Sequence, residues 1–239
     1  MSQAGVHAFA GLYLKKFIRW EKWLFPSIVF GALLPDIDSI FVAFATLFTN
    51  ITQTVEFFHR KGTHSFFFIL VIYLTFSVLS EWKKDPVLKT VGKGLAIGII
   101  CHILLDTLFW FQGIYFLWPL DIQFNLWSKY EPAPIIFQML NALEFLFFRI
   151  YAWVLIQLAI QTPPQNFWFL KFVNIWRKLA LWIFIICIIS ILIDHSNYFL
   201  IFGIFYIPFL LMALFSTYIL RDTLDADWRI QKNTIINIK

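Results

Sequence analysis

From Ile135 to Ile160 the chain carries two charges, Glu144 and Arg149, in an otherwise apolar stretch. As a helix, that length crosses the roughly 30 Å hydrocarbon layer of a bilayer. Inside lipid every backbone N–H and C=O must be satisfied within the structure, which a helix does within its own segment. Ser65–Ser80 reads as an uninterrupted apolar helix nearly long enough to span, and Leu179–Ile193 and Tyr198–Leu220 read as a helical hairpin. The composition agrees: 60% of the 239 residues are hydrophobic and 14% are charged, against about half and a quarter in soluble domains. The expected fold class is all-α, a polytopic helical bundle integral to a membrane.

Aromatic residues are abundant, with 30 Phe and 11 Trp, which suits lipid-facing surfaces and interfacial belts. The net charge of +5 is dispersed in short basic groups. These read as topology signals and headgroup contacts, and no nucleic-acid partner is expected. Basic groups at 15–22, 83–93, 171–178 and 221–239 would all be cytoplasmic with about six membrane segments. That arrangement puts the polar turn HRKGTHS, residues 59–65, on the far side. Cys101 and Cys187 lack zinc-ribbon or redox spacing and read as buried thiols. No basic–apolar–small signal pattern opens the chain, so a retained N-terminus is expected.

Against this apolar background the ionisable residues stand out. A helix from about Leu95 to Phe111 carries His102 and Asp106, four apart and therefore on one face. Burying both is costly unless something pairs with them, and a divalent metal takes both imidazole nitrogen and carboxylate oxygen. Pro26–Phe48 is long enough to span, but Pro35, Asp36 and Asp38 break it. Pro35 can open a second half-helix whose first turn holds both carboxylates. His59 and His64 flank Gly62, and Thr63 is placed to cap the helix that follows. His7 lies in a short apolar stretch at the start. Four of the five histidines thus fall within the first 102 residues; His195 sits apart, beside Asp194 in the turn of a late hairpin.

His7, Asp36, Asp38, His59, His64, His102 and Asp106 form the candidate metal set. They are enough for one ion of four to six ligands, or for two sharing a carboxylate. Each piece has a plainer reading: a hydrogen-bonded His–Asp pair, a turn between helices, a basic loop on lipid phosphates. After Pro132 and Pro134 the character changes. Gln138, Asn141 and Glu144 share a face of the next helix, a short amphipathic run leads to Lys178, and a helical hairpin follows.

LLPDID (33–38), HRKGTHS (59–65), then His102, Asp106, Gly113 and Trp118-Pro119, preceded by an N-terminal His, resemble one family in that order. It is the LexA-regulated, membrane-bound, metal-dependent hydrolase family (YdjM-like). One position departs: Lys61-Gly62 stands where the family has glycine and then a variable residue. The family is distantly similar to the zinc-dependent phospholipase C and single-strand nuclease fold, an all-helical domain with a multinuclear zinc site. The resemblance implies a membrane-embedded hydrolase core over residues 1–131, with C-terminal transmembrane helices and a polar tail over 132–239. It implies one or two zinc-like ions, with Asp106 as a bridging ligand. A phosphoester, lipid or lipid-linked, is the implied substrate within the bilayer. In that chemistry Asp38 or Asp36 serves as general base or as ligand, and Arg60 neutralises an anionic substrate or contacts headgroups. Two other readings share these residues: a transporter or metal/proton conduit, and a non-catalytic membrane protein with a structural metal.

Overall fold

A computed structural model describes residues 4–19, 21–46, 48, 59–111, 113–161, 167–193 and 198–226. Among them are nine α-helices and no strand beyond one isolated bridge pair, Ile114 with Phe124. The all-α bundle is the observed architecture. His195 and Asp194 lie outside the described residues.

Three short helices come first: α1 (Ala4–Tyr13), α2 (Leu24–Leu33) and α3 (Asp38–Ala45). Between α2 and α3 the chain makes one 3₁₀ turn, Pro35–Ile37. Leu24–Leu33 and Pro35–Ala45 together are long and apolar enough to span, but bend by 40° at the break. The expected broken helix is therefore present, with Pro35 at its start and both carboxylates in the following turns.

Five longer helices can each cross a membrane: α4 (Phe66–Lys83), α5 (Pro86–Phe109), α6 (Pro134–Gln161), α7 (Phe167–Ile193) and α8 (Tyr198–Ile219, apolar from Ile201). Counting the bent pair makes six. A short α9 (Arg221–Asp225) closes the described chain. Local signals set most ends. Ser65, not Thr63, caps α4, its side chain accepting the Phe68 N–H at 3.1 Å. Asp85 caps α5 at Val87, with Pro86 as the first helical residue, so this helix begins well before Leu95. Helix α7 is continuous where a short run ending at Lys178 was expected. No Gly or Pro lies between 167 and 193, so nothing there interrupts the helix.

Two packing zones result. In the C-terminal zone α6, α7 and α8 bury an aromatic core that includes Phe145, Phe148, Tyr151, Trp176, Tyr206 and Phe209. The Tyr151 and Thr217 hydroxyls pair inside it at 2.6 Å. In the N-terminal zone α2 and α5 run parallel at backbone contact. A Cβ on Gly94 would meet Ser27 and Leu24, and one on Gly31 would meet the Leu95 backbone. Small residues permit such approach between membrane helices. Helix α1 joins the zones: Gly5 rests on the α6 backbone at Glu144 and Phe148, and Gly11 on α2 at Val29.

Candidate metal centre

His102 sits in mid-helix where the glycines bring α5 against α2. Its Nδ1–H donates to the Ala32 carbonyl at 2.7 Å. A carbonyl can only accept, so the neutral ring keeps its proton on Nδ1 and offers the Nε2 lone pair. That Nε2 lies 3.1 Å from His64 Nε2, 3.5 Å from Asp36 Oδ1 and 3.8 Å from Asp106 Oδ2. His64 Nε2 is itself 3.6 Å from Asp106 Oδ2. From α1, His7 Nε2 pairs with Asp106 Oδ1 at 3.0 Å, and its ring stacks on His102 with centroids 3.7 Å apart.

Two groups have ligand atoms close enough to hold one ion: His7, His102 and Asp106, and Asp36, His64 and His102. All five residues are buried, and His102 belongs to both groups. The fit to a divalent ion rests on the donor set. Two imidazole nitrogens at 3.1 Å approach the edge of about 3.3 Å expected for a tetrahedral zinc with bonds near 2.0–2.1 Å. Their lone pairs need a shared proton or cation between them. His7 Nδ1 is buried without a hydrogen-bond partner among the described residues, a costly state that a ligated ion relieves, while Asp106 Oδ2 faces the Arg60 guanidinium at 3.3 Å.

Asp38 and His59 belong to neither group. His59 Nδ1 lies 3.1 Å from each Asp38 oxygen. Asp38 Oδ2 also accepts the Arg60 N–H at 3.1 Å and the Thr63 hydroxyl at 3.4 Å, and lies 3.7 Å from His64 Nδ1. Asp38 thus ties the polar turn to the broken helix. Burial holds the His64 imidazole down to about 4, against the pull of Asp38 and Asp106. Burial lowers His59 likewise, with Asp38 opposing. Both rings stay neutral at pH 7, the form that binds metal.

Arg60 has a left-handed backbone, φ 59°, which turns its side chain inward. Its guanidinium stands 4.0 Å above the Trp110 ring and 3.3 Å from Asp106 Oδ2. None of its three nitrogens makes a hydrogen bond among the described residues, although the residue is only 3% exposed.

Two further residues come from the C-terminal half. Tyr206 of α8 donates its hydroxyl to Asp36 Oδ2 at 3.3 Å. Glu144 of α6 accepts the Gly5 N–H at the start of α1, a carboxylate at a helix N-terminus, two residues before His7. Neither is visible as a site residue in the sequence. Glu144 has no metal-binding neighbour there, and a tyrosine in an aromatic span carries no signal. The one hint is that Gln138, Asn141 and Glu144 share a helix face, and all three are buried.

A family model described as YdjM inner membrane protein matches residues 2–218. The chain is 34% identical over 99 residues to the uncharacterized protein YvsG of Bacillus subtilis strain 168. That alignment covers 40% of this chain and 57% of that protein. No solved structure matches. With a family model covering most of its length, and five helices able to span a bilayer, the chain belongs to the YdjM inner membrane protein family.

Proposed function

We propose that the protein is a membrane-bound, metal-dependent hydrolase acting on a phosphoester, using one or two zinc-like ions. The observation that carries this reading is the convergence of His7, Asp36, His64, His102 and Asp106 from four separate segments into two groups that share His102. Such a set, buried in an apolar bundle, needs a reason. His102, with its tautomer fixed by Ala32, and Asp106, within reach of both His7 and His64, are the central ligands. A divalent ion held there supplies Lewis acidity and acidifies a water at neutral pH. Asp38 stands outside both groups with the His59 Nδ1–H donating to it, placed to accept a proton from an attacking water. Arg60 brings unsatisfied guanidinium donors to the edge of the site and suits an anionic phosphoryl oxygen.

The test is metal content and turnover of the purified protein in detergent, comparing wild type with His102→Ala and Asp106→Ala. Bound metal should fall in both variants, together with hydrolysis of at least one member of a phosphodiester and phospholipid panel. Unchanged metal content in both would refute the site. Full metal occupancy with no turnover across the panel would refute the hydrolase reading and leave a structural ion.

A further inference from the structure

The segment between α5 and α6 is not helical, yet it exposes apolar side chains. Leu120, Ile122, Phe124 and Leu126 are each more than half exposed. Its backbone order consists of the Ile114–Phe124 bridge and isolated turns. Lipid-exposed irregular backbone does not occur within the hydrocarbon layer. The segment also joins two helices that can span, so it lies at a membrane face. Apolar and aromatic side chains on such backbone, with Trp118, Trp127 and Tyr130 among them, belong to the interfacial layer.

The same segment is fastened to the loop that carries the ligands. The Tyr115 N–H points at the Arg60 carbonyl at 3.5 Å, and the Phe66 N–H donates to the Phe116 carbonyl at 2.9 Å. Lys61 stands 5.0 Å from the Tyr115 ring centre, and Gly62 faces the Trp118 ring. Between this segment and Asp106 lies the buried Arg60 guanidinium, without a hydrogen-bond partner among the described residues.

The other end of the same helices is basic. Lys15, just past α1, donates to the Leu224 and Ala226 carbonyls at 2.7 and 2.9 Å. Lys93 of α5 pairs with Glu21, and Arg221 stands 5.6 Å from the Trp23 ring centre. From Lys93 to Asp106 the α5 axis climbs about 20 Å, at about 1.5 Å per residue. An excess of Lys and Arg marks the cytoplasmic face. The histidine–aspartate centre therefore lies toward the opposite face, on the same side as the aromatic segment.

We propose that the 114–130 segment seats in the interface of the non-cytoplasmic leaflet and passes a phosphate-bearing lipid sideways to the centre. Arg60 meets the phosphate and the acyl chains stay in the leaflet. This rests on the hydrolase reading for what happens next, but the docking surface is testable without turnover.

In a background of Cys101→Ala and Cys187→Ala, Ile122→Cys and Lys84→Cys report sidedness in intact cells through a membrane-impermeant maleimide. Ile122→Cys should label from outside, and Lys84→Cys only after permeabilisation. The reverse pattern overturns the proposal. In lipid nanodiscs, an environment-sensitive dye on Ile122→Cys should be quenched by lipids spin-labelled near the headgroup. Quenching by aqueous iodide alone overturns it.

For the ligand, fluorescent phosphatidylglycerol in detergent should bind wild type. Leu120→Ser with Ile122→Ser should bind it about tenfold or more weakly, since both lipid-facing contacts are lost, with bound zinc unchanged. Equal binding by that variant, or displacement by inorganic phosphate as effective as by unlabelled lipid, refutes a lipid occupant. Failure of the hydrolase reading appears separately, as metal occupancy without turnover.

Discussion

Gly98 tests whether backbone contact between α2 and α5 is what builds the centre. A Cβ at this position would sit 2.6 Å from the Ala32 nitrogen, and closer still to the Ile28 carbonyl oxygen. Ordinary separations are about 3.3–3.6 Å for carbon to oxygen and about 3.5 Å or more between heavy atoms. Gly98→Ala must therefore push α2 away by about 1 Å, because the obstructing atoms are backbone and cannot rotate aside. The His102 Nδ1 to Ala32 carbonyl distance is 2.7 Å, so the same shift carries it beyond hydrogen-bonding range. Two losses follow: overpacking at about 1–3 kcal/mol, and a freed His102 ring that no longer presents Nε2.

Gly203 supplies the control, since no described residue comes within 4 Å of a Cβ placed there. Gly203→Ala should be neutral or stabilising by up to about 1 kcal/mol through helix propensity alone. The assay is thermal unfolding in detergent alongside zinc titration. Gly98→Ala should melt lower than Gly203→Ala and bind zinc at least about tenfold more weakly. Equal melting and equal affinity in the two variants would refute the close-packing argument.

Tyr206→Phe removes only the hydroxyl on Asp36. It should weaken zinc binding about 10- to 100-fold while changing stability by no more than about 1.5 kcal/mol; titration with a zinc indicator decides, and unchanged affinity removes Tyr206 from the centre. Glu144→Ala strands the buried Gly5 N–H and should cost about 1–3 kcal/mol in unfolding. Glu144→Gln keeps the acceptor and should recover much of that loss; if both melt alike, the α1 contact is not what Glu144 supplies. In metal-free protein, burial depresses His64 from 6.5 to about 4, so the unfolded chain takes up its proton first as pH falls. His64 then contributes nothing above pH 6.5 and destabilises progressively from there to about pH 4, at up to about 1.4 kcal/mol per pH unit. Urea unfolding at pH 7.5, 6 and 5 checks the slope, and His64→Gln should reduce it, leaving the part of the same sign that His59 contributes.

Much of the molecule was legible because its signals are local. Long apolar stretches in a chain 60% hydrophobic leave only membrane helices as a home, and five such helices are present. Pro35 breaks the second stretch where expected, and the cost of burying His and Asp singled out five residues that the fold brings together. The cap on α4 is not legible in the sequence to within two residues, because Thr63 and Ser65 are both good caps. Only the backbone, extended at Ser65 and helical through Thr63, distinguishes them.

Sequence alone determined the medium, the helices and the cast of ionisable side chains, since each follows from how a residue and its near neighbours meet lipid. Tertiary structure decided the partnerships. It placed Tyr206 on Asp36, Glu144 on Gly5, and Asp38 with His59 rather than within either three-residue group. In a soluble helix the apolar face points to the core, but in a membrane lipid-facing and protein-facing surfaces are equally apolar. Hydrophobic pattern therefore carries no record of which helix meets which. That choice was left to shape, to glycines 31, 94 and 98 letting two backbones touch.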